Sequence, residues 1–195
     1  MAIVRESIVS DQIDAWATTF AARLQPLNVD VERVESSDAA AAFLARVAAE
    51  IAAPGLVVST EMTNAAPKLM AALTGAGTAW LNPADVAASR DAPLGVSLAA
   101  LAVAETGSVM LAEPTLTDRA VGMLTKAHVI VVRTETLVPS LAEAADALKA
   151  LALRPGGAYA SLVTGPSRTA DIELSLSLGV QGPERVFVLL VADLS

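Results

Sequence analysis

Apolar and polar residues alternate along the chain in blocks whose spacing predicts helices and strands in turn. Apolar spacing and end signals predict helices over residues 11–24, 38–52, 63–73 and 141–151 and a helical turn or two over residues 116–124. Possible caps at Ser167 and Thr169 predict a further helix near residues 170–178. Short apolar runs predict strands over residues 29–34, 56–58, 78–81, 108–111, 129–132, 158–163 and 186–191. Strands that alternate with such helices are joined by crossovers. The pattern therefore predicts an α/β fold with three α/β/α layers around a mainly parallel central sheet.

Composition supports one compact domain over residues 1–195. Hydrophobic residues make up 54% of the chain and charged residues 17%, which is typical of a folded globular protein and not of a disordered one. The formal net charge is −8, no basic run occurs, and only 3% of residues are aromatic. Nucleic-acid binding usually needs a basic surface and stacking platforms, so we expect no nucleic-acid partner.

Cysteine is absent from the chain, and His128 is the only histidine. Without cysteine there is no disulfide, no thiolate nucleophile and no cysteine-bound zinc or iron–sulfur cluster. A single histidine also rules out sites that need two. We therefore expect this chain to bind no cofactor and to leave most redox chemistry to other proteins.

The sequence gives no sign of a membrane segment. The first ten residues lack the architecture of a signal peptide. The longest strongly apolar run, residues 92–104, contains Pro93 and Gly95 and is shorter than the ~18 residues that a membrane helix needs. We expect no membrane partner and residence in the cytoplasm.

The most distinctive segment is residues 164–173, which read TGPSRTADIE and follow the predicted strand 158–163. That strand is apolar and uncharged, which is typical of a strand buried on both faces. The segment then offers turn-forming residues, hydroxyls that can cap a helix, and the cation of Arg168. It thus predicts an anion-binding turn. The candidate ligand-binding residues are Thr164, Gly165, Pro166, Ser167, Arg168, Thr169, Asp171 and Glu173.

The predicted position of this turn favours a site, because ligands of open parallel sheets bind beyond the carboxyl ends of the strands. A plain strand-to-helix turn explains the same residues if the hydroxyls only cap the helix. In that reading Arg168 only pairs with Asp171 or Glu173.

A second candidate turn lies at residues 105–108, which read ETGS. Glu105 suits the role of general base, nucleophile or anchor for a ligand hydroxyl. Thr106, Gly107 and Ser108 would form the ligand-binding turn beside it. A carboxylate on a solvated loop is an equally simple interpretation.

Three segments together resemble the lactate-utilisation protein C family, also called the LutC/YkgG or LUD-domain family. They read AETGS at residues 104–108, GPSRTADIE at 165–173 and GVQGP at 179–183. The similarity covers about the second half of the chain, from about Leu94 to Val191. It implies a fold similar to the sugar-phosphate isomerase and CoA-transferase superfamily. In distant CoA-transferases of that superfamily a glutamate is the nucleophile, which suggests the same role for Glu105.

The resemblance also bears on Arg119 and on Gln181. The family places an arginine ahead of the strand 129–132, so Arg119 is a candidate second anion contact, although an ion pair with Asp118 or Glu113 explains it as well. His128, at the start of that strand, fits a partly buried packing residue better than a catalyst. We expect nothing else nearby to titrate in the useful range.

Gln181 stands where the family pattern GVHGP has a histidine. Glutamine keeps a donor and an acceptor, but it cannot take up a proton near neutral pH and is a poor metal ligand. If that histidine is catalytic, this member is impaired or uses another group. If it only orients a ligand, Gln181 can replace it.

The resemblance implies a part in the oxidation of L-lactate to pyruvate alongside two other proteins, at least one with iron–sulfur clusters. The chain would be an accessory component that binds a small anionic ligand or partner proteins. One alternative is an independent enzyme that acts on a CoA ester, sugar phosphate or folate-like acid through Glu105 and Arg168. The other alternative is a plain interaction scaffold.

Overall fold

The computed structural model of the chain describes residues 2–153, 159–169, 177–179 and 182–194. In this part of the chain no helix is long and apolar enough to cross a membrane. The helices lie at Ala2–Leu24 (α1), Ser37–Glu50 (α2), Thr60–Ala65 (α3), Pro67–Gly75 (α4), Leu116–Leu124 (α5) and Leu141–Ala152 (α6). Short 3-10 turns lie at Gln25–Leu27, Val86–Ser89 and Thr134–Thr136.

The strands fall into a central sheet and smaller sheets. Their bounds are Asp30–Val34 (β1), Leu56–Val58 (β2), Trp80–Leu81 (β3), Leu94–Leu98 (β4), Leu101–Val103 (β5), Ser108–Ala112 (β6), Ala127–Arg133 (β7), Leu137–Val138 (β8), Ala160–Val163 (β9), Arg168–Thr169 (β10), Ser177–Leu178 (β11) and Arg185–Val191 (β12).

The central sheet has six parallel strands in the order β1-β12-β7-β4-β2-β3. Alternate residues of a strand point to opposite faces, so the uncharged run in β7 supplies both cores. Val129 and Val131 pack with α2, α3 and α4 on one face, while Ile130 and Val132 pack with α1 on the other. The structure therefore confirms the predicted α/β fold with a mainly parallel central sheet in three layers.

A four-stranded sheet, in the order β8-β5-β6-β9, lies on the same side of the central sheet as α1. We call it the small sheet. β6 pairs antiparallel with both β5 and β9, whereas β8 pairs parallel with β5. Its outer face is covered by Ala144 and Leu151 of α6. The space between the central sheet and the small sheet is where the candidate site lies.

The prediction of a central strand at residues 158–163 was wrong in its position. The observed strand, β9, begins at Ala160 and lies at the edge of the small sheet. Leu162 is 47% exposed, so the strand is not buried on both faces. An apolar run without charge indicates a strand but does not tell a central strand from an edge strand. The turn that follows β9 is therefore not at the carboxyl edge of the parallel sheet.

The helix predicted over residues 170–178 was wrong at its end. Ser177 and Leu178 form β11, which pairs antiparallel with β10. Residues 173–178 read ELSLSL, an alternation with the period of a strand, and this period outweighs the possible helix caps upstream. Residues 170–176 lie outside the described residues.

The helix predicted over residues 63–73 consists of two helices, α3 and α4. The break is at Ala66, which has φ −132° and ψ 57°. Because the residue before a proline is pushed out of the helical region, Pro67 ends one helix and begins the next.

Candidate functional site

A pocket of about 290 Å³ opens between the central sheet and the small sheet. We call it the inter-sheet pocket. His128 and Val186, each the second residue of its strand, place it near the amino ends of β7 and β12. Its wall also includes Leu111, Glu113, Gly122, Tyr159, Ser161 and Ser167.

Glu113 is the acidic residue of this pocket, and it is only 5% exposed. It follows directly after β6. Ser97, on β4, donates a hydrogen bond from its hydroxyl to Oε1 of Glu113 over 3.1 Å. Burial raises the pKa of Glu113 from its ordinary value of 4.5 to about 7, and the bond from Ser97 partly opposes that rise. A group with this pKa exchanges a proton readily at neutral pH.

Two residues at the start of α5 also act on Glu113. Asp118 is buried and raises the pKa of Glu113 by its negative charge, whereas Arg119 lowers that pKa. The carboxylate of Asp118 accepts hydrogen bonds from the backbone N–H of Thr60 at 2.7 Å and from the hydroxyl of Thr115 at 2.6 Å. Asp118 therefore fixes α5 against α3.

Arg119 forms no ion pair within 4.0 Å with any carboxylate of the described residues, so the alternative of a pair with Asp118 or Glu113 is not observed. Its Nε donates to the backbone oxygen of Thr115 at 3.2 Å, and its guanidinium lies 4.4 Å from the ring centroid of Tyr159. Because Tyr159 lines the inter-sheet pocket, the charge of Arg119 lies beside the pocket wall.

His128 lines the same pocket, and its side chain is only 1% exposed. Its Nε2 is buried and finds no hydrogen-bond partner in the part of the chain that the structure describes. Burial lowers the pKa of His128 to about 4, so the ring is neutral at physiological pH. Gly122 of α5 packs on this ring, since a Cβ there would lie 3.0 Å from Cε1. His128 thus places a buried, unpaired ring nitrogen behind the pocket wall.

The structure brings two of the predicted turns together. The hydroxyls of Ser108 and Thr164 are 2.7 Å apart, and Thr106 donates to Ser108 at 2.8 Å. Gly107 has φ +69°, and a Cβ there would lie 2.9 Å from Cβ of Arg23, so this tight turn against α1 requires glycine. The two turns therefore meet at the junction of β6 and β9.

The turn after β9 is built differently from the predicted helix cap. Its Ser167 N–H donates to the backbone oxygen of Pro183 at 3.1 Å, and Gly179 N–H donates to the oxygen of Ser167 at 3.1 Å. These bonds tie the segment to residues 179–183, as expected if the motifs form one site. They do not leave the free N–H groups of a helix N-terminus.

Arg168 and Glu105 do not line the inter-sheet pocket. Arg168 is exposed, and its Nη2 donates to the backbone oxygen of Leu27 at 3.1 Å. Glu105 is exposed as well, and its Oε2 accepts the backbone N–H of Leu141 at 3.2 Å, at the start of α6. Both contacts are to backbone atoms of other elements.

The other predicted site residues divide into two groups. Gly165 and Ser167 line the inter-sheet pocket. Pro166 lines a different pocket, together with Leu27 and Asn28. Asp171, Glu173, Gln181 and the side chain of Thr169 lie outside the described residues, so their predicted roles stay predictions.

Sequence reasoning missed Glu113, which we considered only as an ion-pair partner of Arg119. The expectation that nothing near His128 titrates in the useful range was also wrong, because burial raises the pKa of Glu113 to about 7. A usable signal was present, because Glu113 is the first charged residue after the apolar run of β6 and precedes the helix cap Thr115.

The site offers a carboxyl group that titrates near neutral pH and the hydroxyls of Ser161 and Ser167, within largely apolar walls. Among the described residues, no group of three or more His, Cys, Asp or Glu side chains could hold a metal ion. The arrangement suits a small organic ligand with hydrogen-bonding groups.

The chain is similar to proteins of lactate utilisation. It is 33% identical to Lactate utilization protein C of Geobacillus kaustophilus over 119 residues, which are 57% of this chain and 49% of that protein. It is also 33% identical to Lactate utilization protein C 1 of Bacillus mycoides over 111 residues, which are 56% of this chain and 47% of that protein. The chain thus aligns with about half the length of these curated relatives.

Among solved structures, the fold is similar to the crystal structure of a DUF162 family protein from Deinococcus radiodurans. The TM-score is 0.65 at 19% identity, over 92% of this chain and 98% of that chain. The LUD domain family itself matches residues 17–191, so the similarity extends well beyond the second half of the chain. The resemblance carried by the three motifs is confirmed, and the chain belongs to the LUD domain family.

Proposed function

We propose that the chain is a non-redox component of lactate utilisation that binds a small organic acid, together with a proton, in the inter-sheet pocket. The observation that supports this most strongly is the buried carboxyl of Glu113. Its pKa of about 7 lies in the pH range in which a cell works. It shares the pocket wall with His128, whose ring is buried and neutral.

The protonation state of Glu113 decides whether an acid can bind. When protonated, the carboxyl donates a hydrogen bond to the carboxylate of the ligand. When ionised, it repels that carboxylate at short range in a poorly solvated place. Binding of the ligand anion is therefore coupled to uptake of a proton by Glu113.

The rest of the inter-sheet pocket can complete the recognition of such a ligand. The hydroxyls of Ser161 and Ser167 offer further hydrogen bonds. Leu111 and Val186 provide apolar walls for a short hydrocarbon part. The positive charge of Arg119 beside the wall favours an anion in a chain whose net charge is −8.

The proposed place in lactate utilisation rests on the curated relatives, which are named lactate utilization protein C. The chain has no cysteine to hold an iron–sulfur cluster, so electrons from lactate would pass through partner proteins that carry such clusters. In this view the chain is an accessory component in the cytoplasm that holds a substrate or product anion.

A second function is favoured by the same carboxyl. A general acid or base works best when its pKa is near the working pH, and Glu113 meets that condition. The chain would then be an independent enzyme that moves a proton on a bound acid or ester. Glu113 replaces Glu105 and Arg168 as the candidate residue, because those two do not line the inter-sheet pocket.

Isothermal titration with pyruvate at pH 6 and pH 8 tests the first proposal. We expect tighter binding at pH 6 for the natural chain and a loss of that difference in Glu113→Gln. The matched control is Glu105→Gln, which removes an exposed carboxylate outside the pocket and should keep the difference. Equal affinity at both pH values would contradict the proposal.

A reconstitution separates the accessory role from the independent enzyme. Lactate-dependent dye reduction by the partner proteins should fall when the chain is omitted or carries Glu113→Gln. Turnover of an added acid or ester by the purified chain alone would favour the enzyme instead.

A further inference from the structure

The carboxyl edge of the central sheet carries a second pocket, of about 190 Å³. We call it the carboxyl-edge pocket. Neighbouring strands β4 and β7 end there at Leu98 and Arg133, and α3, which follows β2, supplies Glu61. Ligands of open parallel sheets bind beyond the carboxyl ends of the strands. This pocket is at the expected place, whereas the turn after β9 is not.

Arg133 is the cation of the carboxyl-edge pocket. The residue is half-buried, and its Nη2 donates to the backbone oxygen of Ala65 at 3.2 Å. No carboxylate of the described residues lies within 4.0 Å of its guanidinium nitrogens. A guanidinium has five N–H donors in a planar fork that matches a carboxylate. The one contact to Ala65 fixes the side chain and leaves most of this fork for a ligand.

Glu61 lines the same pocket from the first turn of α3 and forms no ion pair with Arg133. An ionised carboxylate can only accept hydrogen bonds, so its natural ligand partner is a hydroxyl group. Opposite charges that share a pocket without touching leave room for a molecule that contacts both.

Small side chains form the rest of the wall. Ala99, Ala100 and Ala112 contribute methyl groups, and the backbone there is held in place. Ala99 N–H donates to the oxygen of Val131, and Ala100 N–H donates to the oxygen of Met110, each at 2.8 Å. Backbone hydrogen bonds therefore hold this wall in place, and the methyl groups of Ala100 and Ala112, which are not fully buried, offer a small apolar contact within a mainly polar pocket.

We infer that the carboxyl-edge pocket binds a small hydroxycarboxylate. Its carboxylate contacts Arg133, its hydroxyl donates to Glu61, and its short hydrocarbon part lies against Ala100 and Ala112. This site is separate from the inter-sheet pocket and does not depend on the function proposed for that pocket.

The test compares L-lactate with propionate, which has the same carbon skeleton without the hydroxyl group. Both are titrated into the full chain while backbone amide resonances are followed by NMR. L-Lactate should bind more tightly than propionate and should shift the amides of Leu98, Ala99 and Ala100. Shifts confined to Gly122 and His128, or no saturable shift at all, would overturn the inference. Shifts confined to those two residues would leave the proposal for the inter-sheet pocket standing.

Four variants assign the contacts. Arg133→Gln should weaken L-lactate binding, read from the amides of Leu98, Ala99 and Ala100, tenfold or more. In Arg133→Lys, which keeps the charge but not the fork, the affinity should fall between those of Arg133→Gln and the natural chain. Glu61→Gln should remove most of the preference for L-lactate over propionate. Arg90→Gln is the matched control, because Arg90 is exposed and away from this pocket, and it should change affinity less than twofold.

Unchanged affinity in Arg133→Gln, with a melting temperature that shows a folded chain, would overturn the inference. Should Arg133→Gln fail to fold, Arg133→Lys decides, and affinity equal to that of the natural chain overturns the inference. In either variant the pH effect attributed to Glu113 should persist, so the two proposals can fail separately.

Discussion

The hydroxyl of Ser97 donates a hydrogen bond to the carboxyl of Glu113 over 3.1 Å, and both side chains are almost fully buried. Ser97 belongs to the central sheet, and Glu113 follows the strand β6 of the small sheet. The contact therefore couples the packing of the two sheets to the protonation of Glu113 in the inter-sheet pocket. Burial raises the pKa of Glu113, and this bond partly opposes the rise.

Ser97→Ala should raise the pKa of Glu113 above about 7, because it removes the hydrogen bond that stabilises the carboxylate. The carboxyl carbon resonance of Glu113, followed by NMR against pH, measures this directly. The pH at which ligand affinity falls should move upward by the same amount. A pKa that stays the same or decreases would show that Ser97 does not set the protonation of Glu113.

Glu113→Gln should change the pH dependence of stability. The folded-state pKa of about 7 exceeds the ordinary 4.5, so between these values the folded chain binds more protons than the unfolded chain. The contribution of Glu113 to stability is present below pH 4.5 and is lost as pH rises to about 7. This difference between the two pKa values corresponds to roughly 3 kcal/mol of folding stability. Urea denaturation at pH 8 should show the variant to be more stable than the natural chain, and equal stability would contradict the burial of the charge.

His128→Phe should reduce the loss of stability that the natural chain shows at acid pH. The folded-state pKa of about 4 lies below the ordinary 6.5, so the unfolded chain binds more protons in this interval. The natural chain then loses stability through His128 as pH falls from 6.5 towards 4, and Phe cannot take up that proton. Urea denaturation at pH 4.5 and pH 7 measures the difference. A parallel loss in the variant and the natural chain would assign the acid sensitivity to other groups.

Gly122→Ala should disturb the inter-sheet pocket while leaving α5 formed. The new Cβ would lie 3.0 Å from Cε1 of His128, so the ring must shift, although Ala is about 1 kcal/mol better than Gly within a helix. We expect changed ring resonances of His128 and weaker pyruvate binding. Gly75→Ala is the matched control, because a Cβ at Gly75 meets nothing within 4 Å. Unchanged affinity in Gly122→Ala would mean that the ligand does not contact this wall.

The layers of the fold could be predicted from sequence because β7 and the amphipathic helices have clear periodicity. Val129 to Val132 are β-branched or aliphatic without interruption, and the structure places them in the middle of the central sheet. The edge position of β9 could not be predicted in this way. β9 pairs with β6, which lies some fifty residues earlier in the chain. A local sequence pattern carries no information on such distant contacts.

The candidate site was predicted in part. The family motifs identified the turns that meet at Ser108 and Thr164, and this meeting is observed. The acidic group was assigned to Glu105, whose carboxylate lies beside conspicuous turn residues. Glu113 has its altered pKa because it is buried between two sheets, and burial between sequence-distant elements cannot be read from neighbouring residues.

Proton uptake on ligand binding tests the central proposal most directly. At pH 8 a carboxyl with a pKa of about 7 is about nine-tenths ionised, so binding of an acid that requires the protonated form must take up close to one proton. Titration of pyruvate into the chain in two buffers of different ionisation enthalpy gives this number. We predict uptake approaching one proton for the natural chain and for Glu105→Gln, and none for Glu113→Gln. Binding of pyruvate by the natural chain without proton uptake would contradict the account.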